Sequence, residues 1–159
     1  MKELGITLNG ASMINKFKSA MSSYPTGIVC VLTKNKDQSY SAIIANSFSS
    51  VSLKPLIVLW SLDIRSKKFK IINQSKNQIV AILSYNQKDE VNEIAFKNAK
   101  IDTNKFHQIL KKSICYLECS KYKSIKVGDH YTNFLKVKKI SDVKKVKSMV
   151  YFKRKLLKI

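Results

Sequence analysis

Short apolar runs alternate with polar turns along most of this chain. Ile28-Val29-Cys30-Val31-Leu32-Thr33 is apolar on consecutive positions, the pattern of a strand buried on both faces. Lys34 to Gln38 is polar and reads as a hairpin turn, with Tyr40 to Ala45 as the return strand. Leu56 to Ser61, Gln78 to Ser84, Ser113 to Tyr122, Thr132 to Ile140 and Met149 to Phe152 read as further strands. Asn46 to Pro55 reads as a serine-dense loop, and Lys126 to His130 as a turn.

The helical signals are fewer. A first helix is expected from near Ser12, a good N-cap, with Ile14, Phe17 and Met21 as its apolar stripe. Tyr24-Pro25-Thr26-Gly27 ends it. Ser66 is expected to cap a helix carrying Phe69 and Ile72, and Gln87 to Phe96 to form another with Val91, Ile94 and Ala95 inward. Strands dominate, and their spacing predicts a mainly β fold: a closed or half-closed antiparallel barrel with a few added helices.

The 159 residues, with four Gly and two Pro and no linker-like stretch, suit a single domain spanning 1–159. The longest apolar runs, Gly27 to Leu32 and Leu56 to Trp60, fall well short of the ~20 residues of a membrane span. Met1-Lys2-Glu3-Leu4 leads into no signal-peptide pattern, so a cytoplasmic location without a membrane partner is expected.

A net charge of +20 raises the question of nucleic acid. The cations are nearly all Lys, with only Arg65 and Arg154 as Arg, and they are spread along the chain among many Asn and Ile. All three have A/T-rich codons, so genome bias explains the charge, and no nucleic-acid partner is expected. The same charge would attract anionic nucleotides. Cys115 and Cys119 sit four strand residues apart, roughly 13 Å, beyond the ~7 Å reach of a disulfide. With Cys30 they read as small buried thiols.

Three segments carry candidate chemistry. Asn46, Ser47, Ser49, Ser50 and Ser52 offer small hydrogen-bonding side chains beside backbone amides, which suits the carbonyls and N–H of a planar ring. Arg65-Ser66-Lys67-Lys68 puts a hydroxyl and cations at an expected helix start, which suits a phosphate. Gly128-Asp129-His130 sets an imidazole beside a carboxylate that fixes its tautomer. His107 has no motif around it and reads as surface. With two His and no Cys/His cluster, no metal site is expected, and no GxGxxG or P-loop pattern is present.

In order along the chain, several segments resemble the flavin reductase family with its FMN-binding split-barrel fold. They are Met21-Ser22-Ser23-Tyr24-Pro25-Thr26-Gly27, Asn46 to Leu56, Leu59-Trp60-Ser61-Leu62, Arg65 to Phe69, Ala81 to Ser84, Lys105-Phe106, Leu117-Glu118-Cys119, Gly128-Asp129-His130 and Val150-Tyr151-Phe152. The resemblance implies an antiparallel Greek-key split β-barrel. It also implies hydride transfer from NADH or NADPH to FMN or FAD, a homodimer, and a separate oxygenase component that receives the reduced flavin. Carried over, Ala45, Asn46, Ser47 and Phe48 would line the isoalloxazine, and Ser61 and Leu62 the ring or ribityl chain. Ser66, Lys67 and Lys68 would hold the phosphate. Pro25, His130 and Tyr151 would border the nicotinamide, with His130 as the catalytic group. The chain departs from the family pattern at Ala42-Ile43-Ile44, where a Gly-x-Thr is usual, at Lys54-Pro55 for Pro-Pro, and at Lys136 for a Gly. The segment between Phe106 and Cys115 is also short. Two other readings stay open: a non-catalytic flavin-binding protein of this fold, and a basic nucleic-acid-binding barrel.

Overall fold

The computed structural model describes residues 10–96 and 101–159; the reading of Met1 to Leu4 lies outside them. The first described element is α1 (Gly10–Ser22), followed by β1 (Thr26–Gly27), β2 (Val29–Lys34), β3 (Tyr40–Ala45), β4 (Ser49–Leu53) and β5 (Leu56–Asp63). Next come α2 (Phe69–Gln74), β6 (Asn77–Ile82), a 3₁₀ turn at Tyr85–Gln87, α3 (Lys88–Phe96) and α4 (Thr103–Lys112). Two long strands, β7 (Cys115–Val127) and β8 (His130–Ile140), precede the short β9 (Met149–Phe152) and β10 (Lys155–Lys158).

Among the described residues, seven strands form one antiparallel sheet in the order β3-β2-β6-β7-β8-β5-β4. Its two edges, β3 and β4, are consecutive in sequence, joined only by Asn46 to Phe48. A link that short brings the edges together at one end, so the sheet curls into a barrel that is split along β3 and β4 instead of laddered shut. A second sheet, in the order β1-β9-β10, lies outside it.

Strand β2 explains its own apolar run. Val29 and Val31 face the barrel interior with Trp60, Leu62, Val80 and Leu135. Cys30 and Leu32 face the outer layer, with Val91 and Ile94 of α3 and Phe106 and Ile109 of α4. Each buried aliphatic side chain stabilises by about 1.5–3 kcal/mol. Inside the barrel, the indole N–H of Trp60 donates to Gln78 Oε1 at 2.9 Å, and Gln78 Nε2 donates to the Ile72 carbonyl at 3.2 Å. Gln78 thus ties β5, β6 and α2 together through one buried amide.

Several expectations are corrected. Asn46 to Pro55 is not one loop: Ser49–Leu53 is an edge strand, paired on one side only with β5. Its serines tolerate solvent, and a bulge after Ser50 breaks the alternation that would have marked it. Helix α1 is helical from Gly10, the first described residue, near the expected Ser12, but its stripe is exposed, with no buried residue. Ala95 is exposed while Val91 and Ile94 are buried. Helix α4 and strand β10 were not expected. Asp102 caps α4 by accepting from the Lys105 N–H at 2.7 Å, with Phe106 and Ile109 as its buried stripe. His107 is exposed, as expected. The three cysteines are free and buried. No helix among the described residues is long and apolar enough to cross a membrane.

Candidate functional site

Strand β3 is an open edge, and its backbone alternates between partner and solvent. Thr33↔Ser41, Val31↔Ile43 and Val29↔Ala45 pair odd-numbered β3 residues with β2. The Asn35 N–H donating to Ser39 O closes that hairpin and sets this phase. The even-numbered residues therefore turn their N–H and C=O groups outward. Tyr40 spends its N–H on the Ile101 carbonyl at 2.9 Å. Ala42 gives its carbonyl to Lys68 Nζ at 2.8 Å. Ile44 is left facing outward with one donor and one acceptor, the pair a ring amide needs.

Two hollows lie along this edge. One, of about 360 Å³, is lined by Ala42 to Ile44, by Ser66, Lys67 and Lys68, and by Ile94 to Phe96 at the end of α3. The other, of about 450 Å³, takes in Ala45, Asn46, Lys88, Asn92, Tyr151 and Arg154. Ile44, Ala95 and Phe96 belong to both, so the hollows adjoin. Among the described residues, four cations line them and no carboxylate does. That balance suits an anionic ligand.

The phosphate-like turn is built by short hydrogen bonds. Ser66 Oγ accepts from the Lys68 N–H at 3.3 Å, and the Ser66 carbonyl accepts from Phe69 N–H at 2.9 Å. The expected cap is therefore shifted: Lys68 stands at the N-cap of α2, and Ser66 shapes the turn before it. Lys68 is half-buried, and desolvation lowers its pKa below the ordinary lysine value. The thiol of Cys30, close enough to feel that charge, is pushed up to about 12 by burial and is no nucleophile.

Ser47, in the link between β3 and β4, ties that link to β5. The β4–β5 register pairs Ser49 with Leu59, so its continuation would bring Ser47 opposite Ser61. The chain peels away there, and the Ser47 side chain substitutes for its backbone. Its Oγ accepts from Ser61 N–H at 3.0 Å and donates to Ser61 O at 3.1 Å. Ser61 in turn pairs with Thr132 of β8, and Asp63 with His130. Residues two apart share a face, so Ser61, Asp63, Thr132 and His130 lie on the same side of the sheet. His130 Nδ1 lies 2.7 Å from Asp129 Oδ1, and Arg65 binds Asp63 through both Nε and a terminal nitrogen. Asp63 is held at about 2 by its hydrogen bonds from Arg65, and Asp129 is lowered by the bond to His130.

The expected residues thus fall into groups. Ala45, Asn46 and Tyr151 share one hollow, and Ser66, Lys67 and Lys68 the adjoining one. Pro25 is exposed beside Thr26, which pairs with Tyr151. His130 lines neither hollow. The side chain of Leu62 is wholly buried in the barrel core and Phe48 packs against it, so a ligand could meet Leu62 only through its peptide. Strand alternation from the buried Trp60 already signals Leu62 as inward. Lys88, Asn92 and Arg154 were missed, because they converge from distant elements and carry no local signal.

Residues 21–159 match the flavin reductase like domain. The reductase component of a flavin-dependent trigonelline monooxygenase from Acinetobacter baylyi is 26% identical over 130 residues, 77% of this chain and 42% of that protein. The chain therefore spans less than half the length of that relative. A flavin reductase from Pseudomonas putida is 27% identical over 126 residues, 72% of each. Among solved structures, BorF, the flavin reductase component of a bacterial two-component tryptophan halogenase, superposes with a TM-score of 0.82 at 19% identity. That match covers 92% of this chain and 98% of BorF, and it carries the split-barrel architecture alone. By the match across most of its length, this chain belongs to the flavin reductase-like domain family.

Proposed function

We propose that this chain is an NAD(P)H:flavin oxidoreductase that binds its flavin along the open edge of β3. The observation that carries this reading is the cationic trough from Lys68 to Asn46, free of carboxylates among the described residues, with the outward N–H and C=O of Ile44 at its middle. Ala42 to Asn46 spans four strand residues, roughly 13 Å. The Ser66 hydroxyl and the Lys67 and Lys68 ammonium groups would hold the phosphate of FMN, or the corresponding phosphate of FAD. The Ile44 backbone, the Ala45 peptide and the Asn46 amide would meet the ring. Ser47 and Ser61 would fix the loop that carries Asn46, and Phe48 and Leu62 would back it from the core.

When bound, the flavin supplies the acceptor for hydride from NADH or NADPH, chemistry no side chain here has. The chain's own part is to hold the two rings together, exclude water and keep the surroundings positive. Pro25, Tyr151 and His130 would border the nicotinamide, with His130 as the catalytic group and Asp129 orienting its ring. A separate oxygenase component is the proposed recipient of the reduced flavin. The exposed stripe of Met13, Ile14, Phe17 and Met21 on α1 supports a homodimer, since a second copy would cover it.

A second reading keeps flavin binding without turnover; it is favoured by His130 lying outside both hollows. NADH oxidation by purified protein, with and without FMN or FAD, separates the two. Turnover that saturates in flavin supports the reductase. Flavin binding without turnover supports the second reading, and absence of both overturns the trough as a flavin site.

A further inference from the structure

The cations along the β3 trough fall in both hollows. Lys67 and Lys68 stand in one hollow; Lys88 and Arg154 stand in the second, with Asn46. A flavin mononucleotide has one phosphate, and Lys68 with Ser66 accounts for it. Two further cations, in the hollow with Asn92 and Tyr151, exceed what that one phosphate calls for.

Arg154 is held there by an unusual turn. Phe152 pairs with Lys155 across β9 and β10, so the hairpin loop is Lys153-Arg154 alone. Both residues are left-handed, at φ 46° and 62°, the geometry of a two-residue hairpin turn that favours Asn-Gly. Long side chains adopt it only at steric cost. The Lys153 N–H donates to the Ser22 carbonyl at 2.7 Å and pins the turn to the end of α1. Among the described residues, no ion pair engages Arg154 or Lys88. The turn thus sets the Arg154 backbone at a 450 Å³ hollow that Lys88 also lines, and among the described residues no carboxylate lines it. Arg presents a planar fork that matches phosphate oxygens two at a time.

We infer that Arg154 and Lys88 form a second phosphate station, which takes the pyrophosphate of a dinucleotide. The inference rests on the trough being the nucleotide site. The ADP moiety is common to FAD and to the nicotinamide dinucleotides, and it is the shared chemistry this station recognises.

The test is calorimetric titration of the full chain with ADP and, separately, with FMN. The protein is compared with Arg154→Gly, Arg154→Lys and Arg154→Gly/Lys88→Gln, with Lys16→Gln on α1 as the off-site control. Glycine adopts φ > 0 freely, so Arg154→Gly keeps the turn and its melting temperature should not fall. The double variant should weaken ADP about tenfold or more while FMN stays within about twofold, and Arg154→Lys should recover part of the loss. Undetectable ADP binding, or ADP binding equal in the protein and the double variant, overturns the station. So does an equal loss of ADP and FMN, which would report a damaged trough, and so does a loss matched by Lys16→Gln, which would report charge in general. Failure of FMN to bind, with ADP still sensitive to Arg154, would remove the flavin reading and leave the station standing. FAD and NADH titrations then identify the source, as the dinucleotide whose affinity falls in step with that of ADP.

Discussion

Lys68 Nζ donates to the carbonyl of Ala42 across the split, so one side chain both bridges the barrel's open seam and faces the trough. Removing the ammonium while keeping a stem, as in Lys68→Met, leaves the Ala42 carbonyl without that partner. An unmet buried acceptor costs about 1–3 kcal/mol, offset in part by relief of a half-buried charge. A net loss of about 1 kcal/mol is expected in urea unfolding. FMN affinity should fall about tenfold or more, read by quenching of flavin fluorescence. Because burial lowers the folded-state pKa of Lys68 below 10.5, the unfolded chain binds more protons just under that pH. Stability contributed at this site therefore rises with pH through that window, and the slope should be absent from Lys68→Met. Unaltered FMN affinity in that variant would move the phosphate elsewhere.

Ser47 and Ser61 make contrasting predictions although they touch. The Ser47 hydroxyl replaces two ladder hydrogen bonds to the backbone of Ser61, whereas the Ser61 hydroxyl has only a long 3.4 Å contact to Thr132. Ser47→Ala should cost about 1–2 kcal/mol, at the usual ~1 kcal/mol per bond. It should also weaken flavin binding, because the strap carrying Asn46 is freed. Ser61→Ala should be nearly neutral to unfolding. Equal effects of the two substitutions on the urea midpoint would mean that Ser47 does not hold the β3–β4 link to β5.

The buried pair Trp60 and Gln78 tests the barrel interior. Gln78→Ala leaves the indole N–H unmet in a site with no water access and opens a cavity, so a loss of about 3 kcal/mol or more is expected. Trp60 is the sole tryptophan, so its fluorescence reads the same transition. Gln78→Leu fills the volume and should lose less, about 1–3 kcal/mol for the unmet donor. A midpoint unchanged in both variants would show that the amide contributes nothing to the core.

These contacts mark where the sequence was readable. The hairpin of β2 and β3 was plain, because an unbroken apolar run and its return are separated by a polar turn. The resemblance to flavin reductases carried the topology, which no local pattern encodes. Strand β4 was hidden by its exposure, since an edge strand of serines has no buried face to alternate against. Helix α4 hid behind lysine, asparagine and histidine, with Phe106 and Ile109 as its only buried side chains. Gln78 was illegible in principle: a polar residue at a core position is recognisable only once Trp60 is seen beside it. The segment Ser66 to Lys68 was legible because a hydroxyl and two lysines are adjacent in sequence. Arg154 was not, because its role arises from a turn lacking the usual glycine and from a hollow closed by α3.

The acid limb of stability should report the Asp63 and Arg65 pair. Asp63 is held at about 2, against 3.8 unpaired, by its bonds from Arg65. A depressed carboxylate contributes above its unfolded pKa and loses that contribution as pH falls from about 3.8 to about 2. The pair is exposed, so salt should shrink the effect. Melting temperatures of the protein and of Asp63→Asn should therefore differ near neutral pH and converge in that window. Parallel curves down to the lowest pH would show that the pair does not stabilise the fold.

His130 offers the sharpest separation of binding from turnover. Its ring is oriented by Asp129 on the sheet face that carries Ser61, two residues along β5 from Asp63, which pairs with it. Two strand residues span roughly 7 Å, so the imidazole stands near the seam without lining either hollow. Removing it should leave FMN and FAD affinities unchanged and slow NADH-dependent flavin reduction. The expected loss is about tenfold, less than the ~10²–10³ of an enclosed oxyanion donor, because this ring is partly open to solvent. Asp129→Asn should give a smaller loss in the same direction, since it disturbs only the orientation of the ring. Turnover in His130→Ala equal to that of the unaltered protein would take His130 out of the mechanism. A matching fall in flavin affinity would assign it to binding instead.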